Sequence, residues 1–399
     1  MSIYLDGLLA SRKVVLLQGP IGSFFTDLSD WLTTQQIECF KVNFNAGDWR
    51  YYHARPNIWH YRKKAAGFGV WLAHKIEENQ IDAIVCFGDC RYYHQQAYAV
   101  AQQLGIQFYV FEEGYIRPDY LTFEEGGVNN FSSFKQQFLA DQDQVVPELH
   151  REASDNHYHL MLWSGFQYYL CWALLFWLYP FYQHHRGYNP LQELGYWLMA
   201  MLRRFKNALL EPKRFDAFIQ QHDKNYFIYT LQVHNDSQVR VHSDYQDIRD
   251  CIAEVISSFA RHAEPQHHLV LKHHPMDRGY RHYGQLIHDL SKKLGIQERV
   301  HYFCDIHLPT LLKHGLGLVT INSTTGIQAL YHHIPVKTLG HALYDLPGLT
   351  VQTGLDQFWK NPVPPDEAYF HFFRLKLIEK TQLNGAYYGK NFWMKVPKP

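Results

Sequence analysis

With 399 residues, and 38 lysines and arginines balanced by 38 aspartates and glutamates, the chain carries no formal net charge before histidine is counted. Neutrality argues against a general nucleic-acid binder, and 46% hydrophobic with 16% aromatic residues excludes a disordered chain. The length allows two or three domains, and six cysteines at 39, 86, 90, 171, 251 and 304, with no Cys-x-x-Cys pair, fit reduced thiols better than a disulfide framework or a zinc site.

The first residues lack a basic stretch followed by a long apolar one, so no secretory signal is expected and the chain is placed in the cytosol. Lys13–Gln18 predicts a short buried strand. It ends in the turn Gly19-Pro20-Ile21-Gly22-Ser23, which opens a helix near Phe25. Further strands are expected at Cys39–Phe44, Ile81–Phe87 and Gln107–Phe111, with a helix over 91–104. Strands separated by helical runs imply βαβ units and a parallel sheet.

The alternation stops over 136–222. From Leu160 to Tyr182 no residue is charged, a length that approaches a bilayer span, yet Ser164, Gly165, Gln167, Pro180 and many Trp and Tyr suit an interface better. The segment from Tyr196 to Lys206 mixes apolar and basic residues in one helical stretch. Burial between domains, an in-plane membrane contact and a spanning helix all remain open at this point.

The strand pattern then resumes with Tyr226–Leu231, His268–His273, Gly317–Ile321 and 335–338, with helices over 245–262, capped by Asp244, and from Gly326 into His332. Two α/β halves joined by a linking segment predict two Rossmann-like domains. The expected boundaries are an N-terminal domain over 1–135, a helical insert over 136–222, a second α/β domain over 223–345 and a C-terminal segment, 346–399, packing back on them.

Ligands of open α/β sheets sit at the carboxyl ends of strands, so the polar residues there are the candidates. In the first half these include Gln18, Gly19, Gly22, Ser23, Asp89, Glu112, Glu113 and Arg117. Glu112-Glu113 offers a general base or a nucleophile, with Asp89 as a second acid. In the second half they are Gln232, Asp236, Ser237, Lys272, His274, Pro275, Asn322, Ser323, Thr324 and Gly326. Adjacent side chains on a strand face opposite ways, so only one of His273 and His274 should enter the crevice. Hydroxyls and backbone N–H groups at 322–326, before a helix, suit a phosphate, although such residues are also ordinary caps. No phosphate-loop lysine motif and no Gly-x-Gly-x-x-Gly is present. Asp141-Gln142-Asp143 matches a metal-binding Asp-x-Asp but lies outside the strand pattern, and the adjacent His pairs cannot easily chelate one ion, so no metal is expected.

The ordered set Gln18–Phe25, Lys41–Asp48, Phe111–Pro118, Leu231–Gln238, Lys272–Pro275 and Asn322–Gly326 resembles the capsular polysaccharide biosynthesis/export family, nearest its KpsS/LipB-type members. The resemblance implies a GT-B fold with a central cleft. It also implies a retaining β-Kdo transferase that moves Kdo from CMP-β-Kdo to a phosphatidylglycerol-type lipid, starting the capsule linker. In that family's terms His274-Pro275 resembles the motif that holds the nucleotide phosphate, and Ser323 and Thr324 the paired hydroxyls that share this task. Glu113 stands where related Kdo transferases carry an aspartate. Retention admits a covalent carboxylate adduct, with Glu113, Glu112 and Asp89 as candidates, or a front-face displacement. A lipid acceptor would give the aromatic segment a place on the cytoplasmic face of the inner membrane, with Arg203, Arg204 and Lys206 meeting phosphates. The implied partners are the nucleotide-sugar donor, the phospholipid and other capsule assembly proteins, with no nucleic acid, no cofactor and no metal. The competing reading is a non-catalytic export component that binds lipid-linked polysaccharide.

Overall fold

Strand β1, Lys13–Leu16, sits near the middle of the first sheet because its residues are apolar on both faces. Val14 and Leu16 are buried against the helix Phe24–Thr34, and Val15 against the helices Phe68–Asn79 and Tyr92–Leu104. Such a strand suits a parallel sheet covered on both sides. The computed structural model describes residues 2–141, 152–154, 157–184, 186–234, 245 and 247–395. In chain order the next strands are β2 (Glu38–Asn43), β3 (Ile58–His60), β4 (Ala83–Phe87), β5 (Gln107–Glu113) and β6 (Tyr120–Glu125). The second half supplies β7 (Tyr226–Thr230), β8 (His268–Lys272), β9 (Val300–Phe303), β10 (Gly317–Thr320) and β11 (Val336–Thr338), and the chain ends with β12 (Gln382–Asn384).

The first sheet runs β12-β6-β5-β4-β1-β2-β3, parallel from β3 to β5, with β6 and β12 added antiparallel. The second runs β11-β10-β7-β8-β9 and is parallel throughout. The two Rossmann-like α/β units expected from the sequence are therefore present. The helix Ile248–His262 shows why the second core forms. Ile248, Cys251, Ile252, Val255, Ile256 and Phe259 recur at helical spacing and bury against Phe227, Tyr229 and Leu269. Its cap is Asp247, whose carboxylate accepts from the Arg249 N–H, whereas Asp244 lies outside the described residues.

One unit comprises 1–193 and 374–399, the other 194–373. These limits differ from the sequence-derived ones at 135, 222 and 345, for two reasons. The insert's first helix, Tyr158–Leu174, packs its Tyr168 ring where a β-carbon on Gly47 would stand, and so belongs to the first unit. The C-terminal segment also returns there, since β12 pairs with β6 and Trp393 is buried beside Phe24, Trp31 and Phe111. The long helix Pro190–His222 runs across the division without a break.

Because the Trp393 indole is buried among residues hundreds of positions earlier in the chain, this segment is part of the first unit's stability. Trp393→Ala should cost about 3–5 kcal/mol, seen as a lower denaturation midpoint of that unit. An unchanged midpoint would show that the segment is only draped over the core.

Candidate functional site

In the first unit, the carboxyl ends of β1, β2, β4 and β5 carry a connected set of polar side chains. β2 places Lys41 and Asn43 two apart among Cys39, Phe40 and Val42, and both are buried. The following turn is capped by Asn45, whose Oδ1 accepts from the Asp48 N–H at 2.9 Å. This fixes the buried Asp48 carboxylate, which accepts from the Phe44 N–H at 2.9 Å and from the Tyr168 hydroxyl at 3.2 Å. Gln18, just past β1, shares its two amide hydrogens among Asp48, Tyr168 and Tyr182, and its Oε1 accepts from Arg91 at 3.0 Å. Lys41 lines a small cavity with Gly19, Gly22, Asp48 and Tyr168. Burial pulls its pKa down to about 8, against the opposing attraction of Asp48.

The three acidic candidates differ sharply in what they do. Asp89 is buried and occupied, because Oδ2 accepts from the Val128 N–H at 2.9 Å and Oδ1 from the Cys90 thiol at 3.1 Å. Its carboxylate holds a turn in place. Glu112 is partly buried at the end of β5, and its Oε1 accepts from the Glu113 N–H at 2.9 Å. Desolvation, reinforced by Glu113 and Asp89, pushes its pKa up to about 7. That value suits a group that gives and takes protons at neutral pH. Glu113 is exposed at the strand end. Gly114 completes the motif for a steric reason, since a β-carbon there would stand 1.9 Å from the Tyr120 carbonyl oxygen. The loop after it is held by Gln382, whose Oε1 accepts from the Tyr115 N–H at 3.0 Å. Arg117 is exposed, with Nε donating to the Gly114 carbonyl, and Ser23 is turned to Asp27 at 3.0 Å. Asp141 accepts from Lys380 at 3.1 Å, while Asp143 lies outside the described residues.

In the second unit, β7, β8 and β10 end side by side. Gln232 and Asn322 bond reciprocally at 2.9 and 3.1 Å. Lys272 is buried, with Nζ 3.4 Å from the His273 carbonyl oxygen and 3.5 Å from that of Cys304, and burial lowers its pKa. His273 turns into the core onto Tyr302 at 2.8 Å, where burial depresses its pKa to about 4. His274 is half-buried and sits on the carboxyl edge. Its Nδ1 accepts from the Met276 N–H, beyond Pro275, so the ring proton resides on Nε2 as a donor. Ser323 bonds Thr325, and Thr324 opens the helix Thr325–Tyr331 without a side-chain cap bond. Gly326 is required because a β-carbon would stand 2.2 Å from the Tyr344 hydroxyl oxygen, and that hydroxyl donates to the Ser323 carbonyl. Asp236 and Ser237 lie outside the described residues.

Lys41 and Asp48 bound one of the motifs that carry the family resemblance, and Arg91 stands in the polar run after β4, but nothing in the sequence assigned these three a role. Tyr168 comes from the insert, more than a hundred residues away in sequence. In the second unit, His234 Nδ1 lies 2.5 Å from Asp277, a fully buried carboxylate that orients the ring at the end of β7. Of the basic trio, Arg203 corrects an expectation. It donates to the Arg278 and Arg281 carbonyls at 2.7 and 3.3 Å, so it braces a loop, whereas Arg204 and Lys206 are exposed.

Residues 82–388 match the family model described as capsule polysaccharide biosynthesis protein. The chain is 41% identical over 384 residues to the capsule polysaccharide export protein KpsS of Escherichia coli, covering 96% of this chain and 98% of that one. It is 40% identical over 397 residues to the capsule polysaccharide modification protein LipB of Neisseria meningitidis serogroup A, covering 96% and 93%. The solved structure of KpsC from Thermosulfurimonas dismutans, a beta Kdo 2,7 transferase, matches with a TM-score of 0.45 at 14% identity, covering 94% of this chain and 92% of that one.

A buried lysine whose pKa is lowered destabilises the folded state most below that lowered pKa, and the penalty vanishes as pH rises through the unfolded value of about 10.4. Lys41→Met should therefore melt higher than the parent at pH 7, with the difference narrowing between pH 8 and 10. A variant that melts lower at pH 7 would mean that attraction to Asp48 outweighs burial.

Proposed function

Since the chain belongs to the capsule polysaccharide biosynthesis family, we propose that it is a metal-independent glycosyltransferase that moves Kdo from CMP-β-Kdo to a phosphatidylglycerol-type lipid with retention of configuration. The observation that carries this reading is Glu112, a carboxyl poised near neutral pH at the end of a parallel strand, with a second carboxylate, Glu113, beside it. In this reading the donor phosphate lies against the second unit. His274 Nε2–H, the Ser323 and Thr324 hydroxyls and the N–H groups opening the helix Thr325–Tyr331 are its hydrogen-bond donors, and Lys272 and His234 flank them.

On the acceptor side, one carboxylate takes the proton from the attacking hydroxyl as the glycosidic bond forms and CMP leaves. The other stabilises positive charge developing on the sugar, or adds to it covalently. Arg91 and Gln18 fix the floor of the first unit's site without touching the reacting atoms.

The acceptor is a lipid in this reading, and the protein is peripheral on the cytoplasmic face of the inner membrane. Among the described residues no helix is long and apolar enough to cross a membrane. The helix Tyr158–Leu174 buries Gly165, Tyr168 and Trp172 but leaves Trp163, Phe166, Leu170 and Leu174 exposed. A helix apolar on both its buried and its open face suits lipid contact better than water. On the helix Pro190–His222, the exposed side chains of Arg204 and Lys206 would face anionic headgroups, each cation worth on the order of 1 kcal/mol.

The test is incubation of the full chain with CMP-Kdo and vesicles of phosphatidylglycerol, with the lipid read by mass spectrometry. One added Kdo is expected, with none on phosphatidylcholine and no effect of EDTA. Glu112→Gln and Glu113→Gln should each lower turnover by at least about a hundredfold, and loss of Glu112 should remove a pH limb near 7. No transfer by the parent, despite binding to lipid-linked polysaccharide, would favour an export component. Unchanged turnover in both variants would remove the carboxylates from the mechanism.

A further inference from the structure

The end of the second sheet opposite the proposed donor site carries an unexplained cluster of imidazoles. His268 opens β8, His301 lies on the neighbouring β9, and His222 is the last residue of the helix Pro190–His222. His268 and Lys272 bound the five-residue strand β8, so the cluster lies about 13 Å along the strand from the carboxyl edge. One ring nitrogen from each histidine falls within 4.8 Å of the others, and all three residues are partly buried. His268 Nδ1 and His301 Nε2 are 3.0 Å apart, and the His222 and His268 ring centroids are 3.8 Å apart. Phe218, one turn before His222, packs its ring against all three, at 4.8, 6.4 and 4.6 Å from His222, His268 and His301. His268 also meets the backbone at Glu298, a contact that steadies its ring.

From this geometry we infer that His222, His268 and His301 form a structural binding site for a transition metal of the imidazole-preferring class, with zinc(II) as its occupant. A tetrahedral zinc ion with nitrogens about 2.0–2.1 Å away sets its ligand atoms about 3.3–3.4 Å apart. The His268–His301 nitrogen separation, 3.0 Å, is close to that value, and the other ligand nitrogens lie within 4.8 Å, so ring rotations can close the set. Three neutral imidazoles with no carboxylate favour zinc, nickel or copper over magnesium or calcium. Each imidazole would bind through an unprotonated nitrogen with its one hydrogen on the other, outward nitrogen, and a ring that was protonated beforehand would release that proton to solvent. Water completes the coordination. The ion would clip the end of the long helix to two adjacent strands, and so stabilise the second unit. It stands apart from catalysis, and the transfer reaction remains metal-independent.

The full chain, freed of any polyhistidine tag, should bind one Zn²⁺ in equilibrium dialysis. Zinc should raise its melting temperature, as expected for a ligand that binds only the folded state. His222→Ala and His301→Ala should each weaken zinc binding at least tenfold and abolish that rise, whereas replacing the pair His332 and His333, half-buried and exposed, should change neither. CMP binding should be the same in parent and variants, which separates this site from the donor site. If the variants fail to fold, Co²⁺ in the parent decides the matter. An intense four-coordinate visible spectrum supports the site, and a weak six-coordinate one overturns it. Equal zinc content in parent and folded variants would also overturn it.

Discussion

The buried carboxylate of Asp48 holds the carboxyl edge of the first unit's sheet together. It is fixed by its own turn through Asn45 and Phe44, and it in turn fixes Gln18, Tyr168 and the nearby charge of Lys41. An anion taken out of water must be satisfied by hydrogen bonds and charge, and here the satisfying groups come from β1, β2 and the insert. The same carboxylate thus ties an aromatic helix, rich in exposed apolar side chains, to the strand ends that carry the candidate chemistry. An element with exposed apolar side chains and a set of polar strand-end residues are linked by one buried network.

The second unit repeats the logic with different residues. Asp277, wholly buried, orients His234, and Tyr344 packs so tightly on Gly326 that its hydroxyl reaches the Ser323 carbonyl. Small residues at 114 and 326 are steric requirements of close approach, whatever chemistry stands beside them. At the carboxyl edges of the two sheets, the second unit presents His274, Ser323 and Thr324 and the first presents Glu112 and Glu113.

Much of this was legible in the sequence where local pattern decides structure. The strands at 13–16, 83–87, 226–230, 268–272 and 317–320 stand close to where their apolar runs place them. β3, β9 and β12 were not foreseen, being three or four residues long and interrupted by His or polar residues. β6 carries two glutamates, and its pairing is antiparallel. For the candidate site, strand-end position placed Glu112, His274 and Ser323 at the sheets' carboxyl edges, but local pattern could not tell that Asp89 is committed to a backbone N–H or, on the insert's helix, Arg203 to two carbonyls. The Asp48–Tyr168 bond and the meeting of His222, His268 and His301 depend on contacts across tens to more than a hundred residues, which no local spacing encodes. The adjacent histidine pairs drew attention in the sequence, yet the cluster that forms takes only one member of such a pair.

The central claim, that the second unit holds a cytidine monophosphate donor through His274, is tested most directly by melting the full chain with CMP, UDP or GDP. The account predicts that CMP alone raises the melting temperature. His274→Ala should weaken CMP binding by about 1–3 kcal/mol, the scale of a lost hydrogen bond to a charged group, and so reduce the shift. An equal rise with UDP or GDP, or an undiminished rise with CMP in the variant, would contradict it.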